Sequence, residues 1–200
     1  MNLPALIATV QTQLGLPADG LAGPQTWAAV AAHLGCRIVT ATPPAADAGS
    51  ADLADSRSEA SIATLHPRVR PYARALVHSA AAQGLDIKVT SGTRSYAEQQ
   101  AIFDRHDGTT RAPAGHSNHN FGLAFDVTLF DGAEPVWESP NYKAVGALGK
   151  ALGLTWGGDW QSIDDAPHFE LRPAWAATMS EGAMLAELRD RHDVGRDQFA

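Results

Sequence analysis

Apolar residues recur every three or four positions between residues 69 and 80, and this spacing predicts an α-helix with one buried face. Gly84 is the expected end of the helix, because glycine adopts the left-handed backbone conformation that commonly closes one. Residues 87–90 are then expected to form a short strand. The buried face of the helix comprises Val69, Tyr72, Ala73, Leu76, Val77 and Ala80.

Apolar and polar residues alternate between residues 123 and 129, which predicts a strand with one buried face. Asp126 falls on the opposite, polar face of this strand. The same alternation recurs in residues 168–171 and puts His168 on the polar side of a second strand. If the two strands pair in one sheet, Asp126 and His168 project from the same face.

Further helices are indicated by their end signals. Ser95 with Glu98 matches a capping box and opens a helix that we expect to run to about Arg105. A Ser-Pro pair at residues 139–140 starts another, and Gly153 is its expected stop. Helices lying against a small antiparallel sheet make the predicted fold class α+β, with the candidate site carried by the sheet.

A small helical module precedes this fold, at residues 1–38. It shows two apolar stripes at helical spacing, one in residues 6–14 and one in residues 27–34. Residues 39–55 are small, Pro-bearing and nearly free of large apolar side chains, which is typical of a linker. We therefore expect the main domain at residues 56–180, followed by a C-terminal helix and tail at residues 181–200.

Composition narrows the function classes. With 44% hydrophobic and 18% charged residues, the chain can form a core and is not disordered by composition. A net charge of −7 argues against electrostatic binding to nucleic acid. No segment reaches the length of a transmembrane helix, and the N-terminus lacks the basic stretch of a secretory signal. We expect a monomer that is made in the cytoplasm and not inserted in a membrane, and Cys36, the single cysteine, forms no intrachain disulfide.

The candidate chemistry lies in His119, Asp126 and His168. Imidazole nitrogens and carboxylate oxygens are ligands that Zn²⁺ favours, and three protein ligands leave a fourth position open, as in catalytic zinc sites. Asp165, three residues before His168, is a spare carboxylate placed to move a proton. Asp164 competes with it for this role. The constellation predicts a hydrolase.

The run Ser-x-His-x-x-Gly-x-Ala-x-Asp at residues 117–126 resembles the M15 zinc peptidases, as do Asp-x-Pro-His at 165–168 and Ser-Gly-Thr-Arg-Ser at 91–95. The resemblance covers roughly residues 56–172. It implies zinc on the two histidines and the aspartate named above, Asp165 as the catalytic carboxylate, and Arg94 facing the scissile carbonyl. Ser117, His116 and Trp156 are candidate substrate contacts.

This family includes D-Ala-D-Ala dipeptidases and carboxypeptidases, and L-alanyl-D-glutamate endopeptidases of phage endolysins. Dipeptidases carry Glu three residues before the second histidine, whereas Asp165 resembles the endolysin branch. We therefore expect hydrolysis of the L-Ala–D-Glu bond in peptidoglycan stem peptides. The alternatives are a D,D-carboxypeptidase or dipeptidase acting on D-Ala-D-Ala, and a non-catalytic wall-binding protein with structural zinc.

The N-terminal module carries a second resemblance. Residues 19–26 are similar to the Asp-Gly-x-x-Gly-x-x-Thr signature of helical peptidoglycan-binding modules, over about residues 3–36. The resemblance implies wall binding, and a docking or folding element is the alternative. Action on the wall would require release from the cytoplasm, through a phage lysis system or a dedicated secretion machine.

Overall fold

A computed structural model describes residues 2–18, 20, 24–35, 53–161 and 163–200 of the chain. Contacts divide the chain into two compact units, Met1–Thr42 and Pro43–Ala200. The predicted linker at 39–55 lies outside the described residues except for 53–55, and most of the wall-module signature, at Asp19 and 21–23, also lies outside them. Within the described part of the chain, no helix is long and apolar enough to cross a membrane.

The N-terminal unit contains two helices, α1 (Leu3–Gln13) and α2 (Pro24–His33), as the apolar stripes predict. Gln11 joins them, because its buried amide donates to Thr26 Oγ1 at 3.0 Å and accepts from the Gly20 backbone N–H at 2.9 Å. The unit therefore has a polar hydrogen-bonded centre. Four of its large apolar side chains are exposed: Leu3, Leu6, Trp27 and Leu34.

The second unit contains five helices and five strands among its described residues. In chain order they are α3 (Ser56–Ile62), α4 (Arg70–Ala81), β1 (Ile87–Ser91), α5 (Tyr96–Phe103), β2 (Ala124–Asp131), β3 (Glu134–Val136), α6 (Tyr142–Ala151), β4 (Thr155–Trp156), β5 (His168–Glu170) and α7 (Glu181–Asp193). Short 3-10 helices span Asn118–Phe121, Gly157–Asp159 and Ala174–Ala176.

The strands form one antiparallel sheet in the order β1-β2-β5-β4, with β3 pairing to β2. Helices α3, α4 and α6 pack on it, and the core includes Val89, Val127 and Phe169. The predicted α+β class is confirmed. A second, smaller cluster joins Phe121 to α7.

Glycines bring α6 close to the sheet. Gly146 lies against the indole of Trp156, and Gly149 lies against the ring of Phe169. A Cβ atom on either glycine would overlap the ring, so the approach depends on the missing side chains.

Most predicted boundaries hold to within a few residues. Helix α4 follows the predicted stripe, and Ser95 with Glu98 forms a full capping box at the start of α5, which ends at Phe103. Helix α6 begins at Tyr142 and not at the Ser-Pro pair, because residues 139–140 form a preceding turn in which the Tyr142 N–H donates to the Ser139 carbonyl.

Candidate metal centre and catalytic cleft

Two facing residues of the sheet form one side of the site. In the antiparallel pair of β2 and β5, Asp126 is directly opposite His168. Directly opposed residues in antiparallel strands point to the same face, and here the apolar neighbours Phe125 and Phe169 fill the core on the other face. The condition for Asp126 and His168 to share a face, pairing of the two strands, is therefore met.

His119 approaches from outside the sheet, in the 3-10 helix before β2. Ser117 caps this helix with its hydroxyl, and Gly122 ends it with a φ of 70°. The imidazole Nδ1 lies 2.8 Å from the Gly92 carbonyl oxygen. A carbonyl only accepts, so Nδ1 carries the proton and the lone pair of Nε2 is directed into the site.

The three side chains meet at one point. The His119 Nε2, His168 Nδ1 and Asp126 Oδ1 atoms are 3.3 Å apart in each pairing. Ligand atoms placed tetrahedrally around one zinc ion at about 2.0–2.1 Å are separated by about 3.3 Å. The donor types and their spacing therefore both fit zinc, with the fourth position left for a water or substrate oxygen.

Glu170 orients His168 through its second ring nitrogen. The Glu170 carboxylate oxygen Oε2 lies 3.2 Å from His168 Nε2. A carboxylate accepts a hydrogen bond, so Nε2 carries the proton and the lone pair of Nδ1 is left to bind the metal. Glu170 is only 3% exposed, and Asn118 Nδ2 donates to the same oxygen at 2.6 Å. Glu170 is not among the site residues predicted from the sequence, although its position two residues after His168, on the same face of the strand, was the available signal.

The close contact of Asp126 with His168 shifts the pKa of both side chains toward their charged forms. Burial would raise the pKa of Asp126, but the adjacent His119 and His168 hold it well below its usual range. Burial would lower the pKa of His168, but hydrogen bonds to Asp126 and Glu170 raise it to about 10. A metal ion needs the neutral imidazole, so metal and proton compete for this nitrogen.

Asp165 and Arg94 line the same cleft as the three candidate ligands. Asp165 lies in the loop before β5, where its carbonyl accepts from the His168 N–H at 3.0 Å, and burial raises the pKa of its carboxyl. Arg94 lies in the turn between β1 and α5, and burial lowers its pKa. Asp164 is exposed and does not line the cleft.

Neither Asp165 nor Arg94 has a side-chain hydrogen bond to any described residue, and the Arg94 Nε atom is buried without a partner. A buried donor without a partner is costly, so such atoms commonly await a ligand. Both side chains are therefore candidates for a contact with a bound substrate.

The cleft has a volume of about 1350 Å³ and is open enough to take a peptide. The predicted contacts His116 and Ser117 both line it. Trp156 does not: it is 7% exposed, its indole packs on α6, and its Nε1–H donates to the Ala166 carbonyl at 2.8 Å. Trp160 lines the cleft instead, with its ring 4.8 Å from that of His168.

Comparison with known proteins identifies the family. The chain is 36% identical over 125 residues to the peptidoglycan L-alanyl-D-glutamate endopeptidase CwlK of Bacillus subtilis, covering 54% of this chain and 74% of that protein. The chain belongs to the M15 peptidase family. The M15 sequence model described as D-alanyl-D-alanine carboxypeptidase matches residues 110–171, which include His119, Asp126 and His168. M15 peptidases are zinc-dependent metallopeptidases.

Two further M15 relatives were found. An L-alanyl-D-glutamate peptidase of Listeria phage A118 is 29% identical over 118 residues, covering 58% of this chain and 41% of the phage protein. The crystal structure of the L-Ala D-Glu endopeptidase ChiX of Serratia marcescens superposes with a TM-score of 0.50 at 27% identity, covering 58% of this chain and 87% of that one. The fold of the second unit is thus that of a known M15 peptidase.

Proposed function

We propose that this chain is a zinc peptidase that hydrolyses the L-Ala–D-Glu bond of peptidoglycan stem peptides. The observation that carries the proposal is the convergence of His119, Asp126 and His168 at mutual distances of 3.3 Å, in a cleft that Asp165 and Arg94 also line. The three form the zinc ligand set. When bound, zinc polarises the scissile carbonyl and lowers the pKa of its bound water toward about 7.

Asp165 is the general base and acid of the proposed reaction. Its carboxylate accepts a proton from the attacking water and returns it to the nitrogen of the leaving amine. Burial supports this role, because a raised pKa brings a carboxyl closer to the pH at which both transfers are efficient. Its backbone bond to the His168 N–H ties the base to the metal ligand.

Arg94 supports the oxyanion that develops at the scissile carbonyl. A charged donor in a site sheltered from water stabilises such an anion more strongly than it would in bulk solvent. The unpartnered Arg94 Nε is available for this contact without breaking an existing hydrogen bond.

The choice of bond rests on the relatives and on Asp165. The relatives reported above act on the L-Ala–D-Glu linkage, and Asp, not Glu, stands three residues before His168. Mass spectrometry of purified muropeptides digested by the protein tests the proposal. A new N-terminal D-Glu is the expected product. Release of terminal D-Ala with the L-Ala–D-Glu bond intact would instead make the protein a D,D-carboxypeptidase, the activity that the matching family description names.

A non-catalytic wall-binding protein is the third possibility. It would have no use for a carboxylate and a guanidinium that line the same cleft as the metal ligands, and Asp165 and Arg94 both do so. Intact muropeptides after prolonged incubation with the zinc-loaded protein would support it.

We further propose that the module at residues 1–38 directs the enzyme to the wall and that residues 39–55 tether it to the catalytic part. Exposed Trp27 and Leu34 are apolar groups that a wall-binding surface would use. A protein without residues 1–50 should cleave soluble muropeptides at the parent rate but act more slowly on whole sacculi, because tethering raises the local enzyme concentration. Equal rates on sacculi would contradict the targeting role.

A further inference from the structure

Helix α7 lies outside the residues that the family description matches, yet it contacts the residue next to a candidate metal ligand. The match ends at residue 171, and α7 begins at Glu181. The Glu181 carboxylate accepts from Asn118 Nδ2 at 2.8 Å through Oε1. Asn118 is the residue before His119, so α7 reaches the 3-10 helix that carries one candidate ligand.

The contact continues to a second ligand. The same amide nitrogen of Asn118 donates to Glu170 at 2.6 Å, and Glu170 in turn lies 3.2 Å from the outer nitrogen of His168. We call the series Glu181, Asn118 and Glu170 the relay. It fixes the Glu170 carboxylate against His168, and it places one NH₂ group between two carboxylates.

Arg172 holds the Glu181 carboxylate in position. Its Oε2 accepts from Arg172 Nη1 at 3.0 Å, while Nε of the same arginine donates to the Ala176 carbonyl at 3.0 Å. The Glu181 side chain is 50% exposed and stands at helical spacing from Met184, Leu185 and Leu188, which are buried beside Phe121 and hold α7 in place. Arg189 donates to the Gly115 carbonyl at 3.0 Å, so α7 contacts the segment before His119 at two points.

We propose that α7, through the relay, is a positioning element of the metal centre that sets the orientation of His168 and thereby the affinity for zinc. The proposal rests on the zinc assignment made above. Partners that hold the outer nitrogen of a ligating histidine typically change metal affinity by about 10–100-fold when removed. Glu181 acts one step further away, so we expect the Glu181→Ala change to weaken zinc binding by about three- to tenfold.

The test measures the zinc dissociation constant of the full chain by competition with a chromophoric chelator, without any assay of turnover. Glu181→Ala is compared with Asp190→Ala, which removes an exposed carboxylate of the same helix. Weaker binding in the first variant and parent affinity in the second is the expected result. Equal affinity in the two variants would overturn the proposal.

Two more variants separate positioning from loss of folding. Leu188→Ala removes a fully buried α7 side chain but leaves the relay, so it should lower the melting temperature of the zinc-free protein and keep parent zinc affinity. The double variant of Glu181→Ala with Glu170→Ala should lose less than the product of the two single losses, because the residues act in series. The relay would be refuted if Leu188→Ala lost as much zinc affinity as Glu181→Ala. It would also be refuted if the loss in the double variant equalled the product of the two single losses.

The zinc assignment itself fails in a different way. If His168→Ala binds zinc as tightly as the parent protein, the metal does not sit at the candidate centre, and the relay is refuted together with the ligand set. If His168→Ala loses zinc but Glu181→Ala does not, the ligand set stands and only the role of α7 is refuted.

Discussion

The two groups of polar residues in the cleft are held in contrasting ways. The candidate zinc ligands stand on regular elements, and both histidines have their outer nitrogen in contact with a fixed acceptor, the Gly92 carbonyl or the Glu170 carboxylate. Asp165 and Arg94 stand on loops, and their side chains have no hydrogen bond to any described residue.

This difference separates two tasks. Ligands must hold a fixed geometry before the metal arrives, because donor atoms that need rearranging bind metal weakly. A general base and an oxyanion donor must instead exchange partners during turnover, so a strong internal hydrogen bond would compete with the substrate. Changes to the first group should therefore alter zinc binding, and changes to the second should alter turnover with zinc retained.

The largest effect is expected for His168→Ala. Loss of one of three ligands should reduce zinc from about one per chain to near none and reduce hydrolysis to the background rate. Metal analysis and muropeptide digestion measure the two outcomes, with exposed His106→Ala as the control. Removal of the metal from the parent protein by a chelator should abolish activity, and added zinc should restore it. Full activity together with full zinc content in His168→Ala would contradict the ligand assignment.

Asp165→Asn should retain zinc and the fold but lower kcat by about 10²-fold or more, the usual contribution of a general acid–base group. Asp164→Asn is the matched control, since its carboxylate is exposed outside the cleft and one residue away. Steady-state kinetics on a soluble muropeptide measures both. If Asp164→Asn showed the larger loss, the base would be Asp164.

Arg94→Ala should lower kcat by about 10²-fold with zinc retained, because the developing oxyanion loses a charged donor. Arg94→Lys should recover part of the loss, since charge returns without the planar guanidinium. A kcat/KM equal to that of the parent protein in Arg94→Ala would show that the arginine has no part in the transition state.

The pH dependence gives the smallest and most specific effect. Burial raises the pKa of Asp165 while the charge of Arg94 opposes the rise, and the base must be ionised to accept a proton. Activity should therefore fall as pH decreases, with an apparent pKa above the value of about 3.9 for a free aspartate. In Arg94→Ala the fall in activity should occur at higher pH, because the positive charge that lowers the pKa of Asp165 is removed. The Arg105→Ala change, at an exposed arginine, is the control and should leave the pH profile unchanged. The zinc content is measured at each pH and must stay constant.

Pattern alone predicted the elements whose signals are local. Helix α4 has a continuous apolar stripe, α5 has a capping box, and the sequence of β2 alternates from Phe125 to Leu129. Helix α3 was missed because only Ser58 and Ile62 among its seven residues are buried, which leaves no stripe to detect. Strands β3 and β4 have three and two residues, too few to show a period.

At the site, the sequence was sufficient to predict that the three candidate ligands lie together, because Asp126 and His168 interrupt apolar strands at positions that pair. It was insufficient where an interaction joins distant segments. The link from Asn118 to Glu181 spans 63 residues, and no local pattern encodes it. Trp156 was placed in the cleft because an aromatic residue fits a cleft wall and a core equally well, and only the packing of α6 on its indole decides between them.

The close approach of α6 to the sheet limits how this enzyme can be engineered for heat resistance. Replacing a helical glycine by alanine ordinarily gains up to about 1 kcal/mol, so Gly146 and Gly149 would be obvious first choices. Here the added methyl group at Gly149 would push on Phe169, the neighbour of His168 in β5, and the one at Gly146 would push on Trp156, which holds the loop of Asp165 through Ala166. Gains in helix propensity at these two positions would be offset by displacement of β5 and of the loop that carries Asp165, and thermostabilising designs should leave both glycines unchanged.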